Sequence, residues 1–461
     1  MSTPESRGER ARARTFASQV TREAFARVGA RLGLAWVIIL VLASVFAPFL
    51  ANSRPLVIKW TDGTISYPVL DGLTPTDVTL LGMFGLLLVL LLVPRMTMFM
   101  RFLIVGCAGF ACYLLCAPSV GVPYVFYETR SFTDPNLMQD RLLLAACIPI
   151  IIALLISPVV HWVFKILFTL AIGGLMAAHL MNVNLVRPPE NVTYEQWRVA
   201  SEEGQVEWMV LAPVPYSPRD RVRDVAGSAS LLKPDDLHYL GTDRNSADVF
   251  SRVIHASRIA ISIGFISTGI ALVIGVFIGG LMGYFSGVVD MLGMRLLEMF
   301  QAIPPLFLLL TFVAFWGRNI IMIMVIIGLT SWPGYARYIR AEYLKLRSMD
   351  YVQAALSTGL PLNSILFRHM LPNGVAPVLV TASFGVAVAI LSEASLSFLG
   401  LGVVDEPSWG QMLNQAVNAG QFSWWLALFP GAAIFFTVFA YNLIGEALRD
   451  AIDPHLKKVA N

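Results

Sequence analysis

Apolar residues in this chain come in long blocks separated by polar stretches, not with the alternation of a half-buried strand or the narrow stripe of an amphipathic helix. The blocks cover 34–50, 77–93, 99–117, 142–157, 162–181, 259–284, 302–316, 320–332, 376–399 and 424–444. Each is long enough, or nearly so, to cross a hydrocarbon layer of about 30 Å as a helix. The pattern predicts an all-α integral membrane protein with about ten transmembrane helices. Only a few residues, Pro158 and His161 among them, separate the fourth and fifth blocks, which read as a tight hairpin with Lys165 close enough to its end to snorkel.

The polar stretches add organisation. Residues 1–31 are rich in arginine, from Arg7 to Arg31. A cleaved signal peptide has the same order of regions, but its basic part is shorter and Ala47-Pro48-Phe49 makes a poor cleavage site. An uncleaved first span with a cytoplasmic N-terminus is the preferred reading. Pro55, Pro68 and Pro75 mark 52–75 as a loop, and 182–257 is the longest extramembrane stretch. Gly275, Gly279, Gly283 and Gly287 recur every four residues within one block, which predicts a helix face that a neighbouring backbone approaches closely.

Composition narrows the function. Of 461 residues 56% are hydrophobic and 14% charged, against roughly 25% charged in soluble domains, which excludes an ordinary cytosolic enzyme and a disordered chain. A net charge of +3 gives no reason to expect a nucleic-acid partner. Cys107, Cys112, Cys116 and Cys147 all lie in apolar blocks, where small buried filler is a simpler reading than metal or redox chemistry. Metalloprotease, nucleophile-elbow and phosphate-loop motifs are absent, so no catalytic residue, cofactor site or metal site is expected. Gly400-Leu401-Gly402 begins like a dinucleotide fingerprint, but Asp405 stands at the third glycine and the context is a loop.

The loop Arg340–Asn373 carries the most information. Asp350 is expected to cap a helix starting at Tyr351, with Gln353 at the capping-box position, Ala354 and Ala355 inside, Gly359 just past the end and Pro361 preventing continuation. A second short helix is expected over 364–370, capped by Asn363 and stopped before Pro372. Charges alone account for a solvated loop; two short helices joined at a glycine also suit a lever for a soluble partner.

Gln353-Ala354-Ala355, Gly359 and Leu371-Pro372 resemble the E-A-A-x-x-x-G-x(9)-I-x-L-P loop of bacterial ABC-transporter permeases, with Gln353 for the usual Glu and His369 for the usual Ile. His238 to Asp243, Asp248-Val249 and Ser251-Arg252 are similar to the H-x-L-G-T-D…D-V-x-S-R segment in the second permease subunit of dipeptide and oligopeptide importers. Pro304-Pro305, Thr330 to Ala336, Glu393 to Gly402, Pro407 to Gly410 and Leu448 to Pro454 fit the same subunit, and Ala51 to Leu56 with Tyr67-Pro68 resemble its microcin C-like branch. The resemblance implies a six-span importer core coupled to a separate ATPase through Asp350, Gln353, Ala354, Ala355, Gly359, Leu371 and Pro372. Implied partners are a second permease subunit, two ATP-binding subunits holding ATP and Mg, and a substrate-binding protein, with membrane lipid around the chain. The implied cargo is a peptide or peptide-like solute crossing the bacterial inner membrane.

Residues 76–181 have no counterpart in a six-span subunit and read as four inserted helices. The chain then divides into a cytoplasmic tail (1–33), a first core helix (34–51), a periplasmic loop (52–75), the insertion (76–181), a periplasmic segment (182–257), the core (258–447) with its cytoplasmic loop (337–373), and a cytoplasmic tail (448–461). Export by the same machinery, or a sensor or enzyme carried by the inserted helices, are the alternatives. Glu393, ionisable and near the end of an apolar block, is a candidate pore or interfacial residue.

Overall fold

The computed structural model describes residues 22–92, 101, 104–106, 108–109, 194–220, 230–403 and 406–452. The expected helices over 142–157 and 162–181, and nearly all of 99–117, lie outside the described residues. Two compact units form: one from Met1–Ser44 with Arg221–Asn461, the other from Val45–Asp220.

The first helix, α1 (Val28–Val45), is apolar apart from Arg31 near its start and Ser44 near its end. The unit from Val45 to Asp220 then holds α2 (Ala47–Leu50), β1 (Val57–Trp60), β2 (Ile65–Ser66), α3 (Pro68–Asp71), α4 (Pro75–Leu91), α5 (Tyr194–Glu202) and β3 (Val206–Val210). Thr74 and Asp77 start α4 with a reciprocal capping box. The stretch 52–75, expected as a loop, folds instead into a hairpin extended by the distant strand β3, in the antiparallel order β2-β1-β3. Its turn is Asp62-Gly63, with Gly63 at φ +87° and Asp62 accepting from the Thr64 amide at 2.8 Å. Backbone bonds from Asn52 to Val214 and from Val214 to Leu50 zip the two ends of this unit together.

The larger unit continues with α6 (Val249–Phe285), α7 (Gly287–Ala302), α8 (Pro305–Trp316), α9 (Ile320–Arg347), α10 (Asp350–Ser357), α11 (Leu371–Phe398), α12 (Trp409–Val417) and α13 (Trp424–Ile452). Among the described residues five helices, α1, α6, α9, α11 and α13, are long and apolar enough to span a membrane. The pair α7 and α8, bent by 78° at Pro304-Pro305, makes a sixth if it is one span. Sequence boundaries are the main departure: the block 320–332 continues as one helix through Arg347, so much of the charged stretch after Trp332 is helical.

The helices α6 and α9 form the centre of this unit. Gly275, Gly279 and Gly283 lie against Tyr335, Ala336 and Arg340 of α9, and a Cβ at Gly283 would fall 2.6 Å from the Arg340 carbonyl. Contact is reciprocal, since Gly328 of α9 faces Ile270 and the Ser267 carbonyl of α6. Gly287 departs from the expected ladder. It begins α7 after the break at Ser286, has φ +55°, and has open space where a Cβ would be. The break ends the helical phase that put the other three glycines on one face.

Candidate functional site

The segment joining α9 to α11 is built on the ends of two spanning helices. Met349 precedes α10 in extended conformation and its carbonyl accepts from the Val352 and Gln353 amides. The helix therefore begins one residue earlier than expected, with Asp350 in its first turn rather than at its cap, a place where an acidic residue suits the positive helix end. Gln353 closes no capping box. Its side-chain amide donates to the Arg347 carbonyl at 2.8 Å and ties α10 to the last turn of α9. A glutamate, which carries no donor when ionised, could not make that bond.

Val352 and Ala355 point inward, joining Tyr343, Leu346, Ile365, Leu366 and Met370 in one apolar cluster. Ala354, Leu356, Gly359 and Leu360 stay exposed. The helix ends in a complete Schellman motif: Gly359 N–H bonds Leu356 O at 3.0 Å and Leu360 N–H bonds Ala355 O at 3.3 Å. Gly359 sits at φ +70°, the left-handed region that disfavours any side chain with a Cβ.

The second short helix differs from expectation. It starts after Pro361 rather than at an Asn363 cap, and it does not stop before Pro372. Residues Ile365–Met370 widen into a π-turn that runs directly into α11. The cause is Pro372, whose ring would strike a carbonyl one α-turn back and whose nitrogen donates nothing. Widening the turn relieves both problems, and side chains serve the carbonyls of the altered ladder. The buried Tyr343 hydroxyl donates to Leu366 O at 2.9 Å, and Asn373 donates to His369 O at 2.9 Å. His369 places Nδ1 2.9 Å from Ser364 O, so this departure from the family's Ile has a local use. Leu371 and Pro372 thus form the first turn of a spanning helix. No sequence signal marked Tyr343, one aromatic among many in an apolar helix.

Basic residues frame this end. Arg340 grips Asp290 of α7 with two bonds, the Nη2 one at 2.6 Å, and Arg347 donates to the Ser286 hydroxyl at 2.6 Å. The bent pair is thereby fixed to the helix that leads into α10.

At the opposite end of the unit lies a buried polar knot. Asp248 caps α6 by accepting from the Ser251 amide, and its other oxygen lies 2.9 Å from His238 Nδ1. Asp243 pairs with Arg252, which also reaches Gln415 at 3.0 Å and Gln411 at 3.2 Å on α12. Trp425 donates to the Thr242 carbonyl at 3.1 Å, bringing in α13. Most of the L-G-T-D and D-V-x-S-R residues therefore fasten three helix starts together. Glu393 belongs to this end too. It is 5% exposed, accepts from Ser397 at 2.5 Å and bonds the Ser408 side chain that caps α12. That position is inside a helix junction. Gly400, at φ +79°, closes α11 with a second Schellman motif and not a nucleotide loop.

Among the described residues no group of three or more His, Cys, Asp or Glu side chains could hold a metal ion. Residues 275–458 match the family described as the binding-protein-dependent transport system inner membrane component. The glutathione transport system permease protein GsiD of Pectobacterium atrosepticum is 39% identical over 225 residues, covering 49% of this chain and 75% of the relative. The dipeptide transport system permease protein DppC of Alkalihalophilus pseudofirmus is 36% identical over 231 residues, covering 50% and 76%. The oligopeptide transport system permease protein OppC of Haemophilus influenzae is 39% identical over 222 residues, covering 48% and 71%.

Proposed function

The chain belongs to the peptide-type family of ABC importer permeases, and from that premise we propose that it passes peptides or peptide-like solutes inward across the bacterial inner membrane. The relatives named for glutathione, dipeptide and oligopeptide transport support that cargo class. In this reading the chain is a transport subunit without chemistry of its own. It pairs with a second permease subunit, receives cargo from a substrate-binding protein, and works with two ATP-binding subunits that hold ATP and Mg. The N- and C-termini and the segment 337–373 face the cytoplasm.

The observation that carries the reading is the construction of 350–372. An apolar underside locks α10 to α9 and to the start of α11, while Ala354, Leu356 and Leu360 remain exposed. A partner that moves this rigid piece moves two spanning helices with it. ATP binding in the partner would then bias a two-state equilibrium between outward-facing and inward-facing arrangements.

Gly359→Val tests this. A β-branched side chain at φ +70° costs on the order of 1–3 kcal/mol of local strain and should disturb the tip of the segment, leaving the buried helices inserted. The mutant should reach the membrane at parental levels, co-purify with far less ATPase subunit, and lose most peptide uptake. A mutant complex that assembles and transports like the parent would show that the ATPase docks elsewhere.

A further inference from the structure

A hollow of about 410 Å³ opens between α6, α9 and α11, within the range of roughly 300–1,000 Å³ common to small-molecule sites. Its floor holds Thr268, which is 7% exposed and whose hydroxyl makes no hydrogen bond. The Tyr335 phenol is aimed at the Thr268 hydroxyl and lies against Gly385, where a Cβ would overlap the phenol oxygen. Ser331, Gly334 and Thr381 complete the polar and small lining, and no acidic or basic side chain faces the space.

The surrounding faces give this hollow meaning. Elsewhere the exposed positions of the spanning helices are large and apolar, as with Phe265, Val273 and Phe277 on α6 and Phe435, Phe436 and Phe439 on α13. That is how a surface meets lipid. On α9, Ser331, Gly334 and Tyr338 are exposed in their place. A buried hydroxyl without a partner is costly and persists where a ligand or water completes it. Thr381 already donates to the Val378 carbonyl at 2.8 Å, so its oxygen is left to accept. The Tyr335 phenol can occupy one lone pair of the Thr268 hydroxyl, which leaves the Thr268 proton to offer. A donor and an acceptor without formal charge complement an amide, which has one carbonyl and one N–H.

We propose that this hollow is a station on the transport path that takes the uncharged backbone of a peptide, Thr268 donating to a peptide carbonyl and Thr381 accepting a peptide N–H. The station is indifferent to side-chain charge, which suits cargo of varied sequence. This rests on the reading of the chain as an importer permease.

The test uses the assembled complex in proteoliposomes, lacking the four natural cysteines, with a mixture of di-, tri- and pentaalanine as the probe. Thr268→Val keeps the volume and removes the hydroxyl, and should raise the KM for uptake roughly three- to tenfold, the weight of one hydrogen bond. Ser331→Cys should react with a small charged thiol reagent, and peptides supplied with ATP should slow that reaction several-fold. Uptake with unchanged KM in the valine variant and no protection of the cysteine would overturn the station and leave the importer reading intact. A cysteine that never reacts, with or without peptide, would mean that a helix of the second permease packs on this face, which also overturns it. A parental complex that takes up none of these peptides would overturn both readings.

Discussion

Asp220 shows how far one residue's surroundings can move its chemistry. Its carboxylate accepts from the Ser217 amide at 2.7 Å and bonds the Ser53 side chain, yet burial outweighs both and pushes its pKa from 3.8 up to about 6. A carboxyl with a raised folded pKa binds its proton more tightly in the folded state. Its contribution to stability is therefore complete below pH 3.8 and is lost as the pH rises through about 6. The shift is worth on the order of 2–3 kcal/mol. Amide hydrogen exchange over 48–56 and 210–220, corrected for intrinsic rates, should accelerate as the pH rises from 3.8 through about 6 and level off above that. Asp220→Asn should flatten that dependence, and a wild-type profile that is already flat would assign the carboxyl no role in holding these strands together.

Among elements, the pairing of α6 with α9 sets the packing of the larger unit. Gly279 meets the backbone of Ala336 directly, with no flexible side chain between them to yield. Overpacking of cores commonly costs about 1–3 kcal/mol, and a leucine pressed against backbone belongs at the upper end. Gly279→Leu should lower both the yield and the thermal midpoint of the purified complex. Gly287→Ala has open space around it and should change the yield little, although its φ of +55° adds mild strain. Equal behaviour of the two variants would mean that α6 and α9 do not depend on close approach. The π-turn at Ile365–Met370 shows the complementary case, in which a proline reshapes a helix without ending it.

At the scale of the molecule, the larger unit has two unlike ends. One carries α10, the basic residues of α9 and the ion pair between Arg340 and Asp290. The other carries the polar knot and the loop before α13, where Phe422 is 89% exposed. The excess of lysine and arginine belongs on the cytoplasmic side. Cysteines introduced into a background without natural ones can report this. Phe422→Cys should react with an impermeant thiol reagent in intact cells, whereas Ser348→Cys should react only after permeabilisation. Reaction of Ser348→Cys in intact cells would invert the orientation and remove the ATPase from reach of α10.

Block hydropathy alone established the membrane class, because about 18 or more consecutive apolar residues cannot be kept in water and bury themselves best in lipid. Among the described residues it placed the cores of α1, α6, α9, α11 and α13, and local chemistry located Gly359, whose neighbours dictate a helix end with positive φ. The same local reading missed wherever a distant partner decided the outcome. Proline content concealed the hairpin at β1 and β2 because its third strand arrives from more than a hundred residues along the chain, although Asp62-Gly63 was a legible turn. Pro372 was read as a stop because the carbonyls that Tyr343 and Asn373 serve are invisible without the fold. Glu393 was read as a pore or interfacial residue, and only packing shows that Ser397 and Ser408 lie against it. Thr268 carried no signal at all, since a hydroxyl in a membrane helix normally bonds its own backbone. Short-range conformational preference and hydrophobic run length belong to the sequence itself; which polar group ends up paired, orphaned or aimed into a hollow depends on residues far along the chain, and only the tertiary structure brings those together.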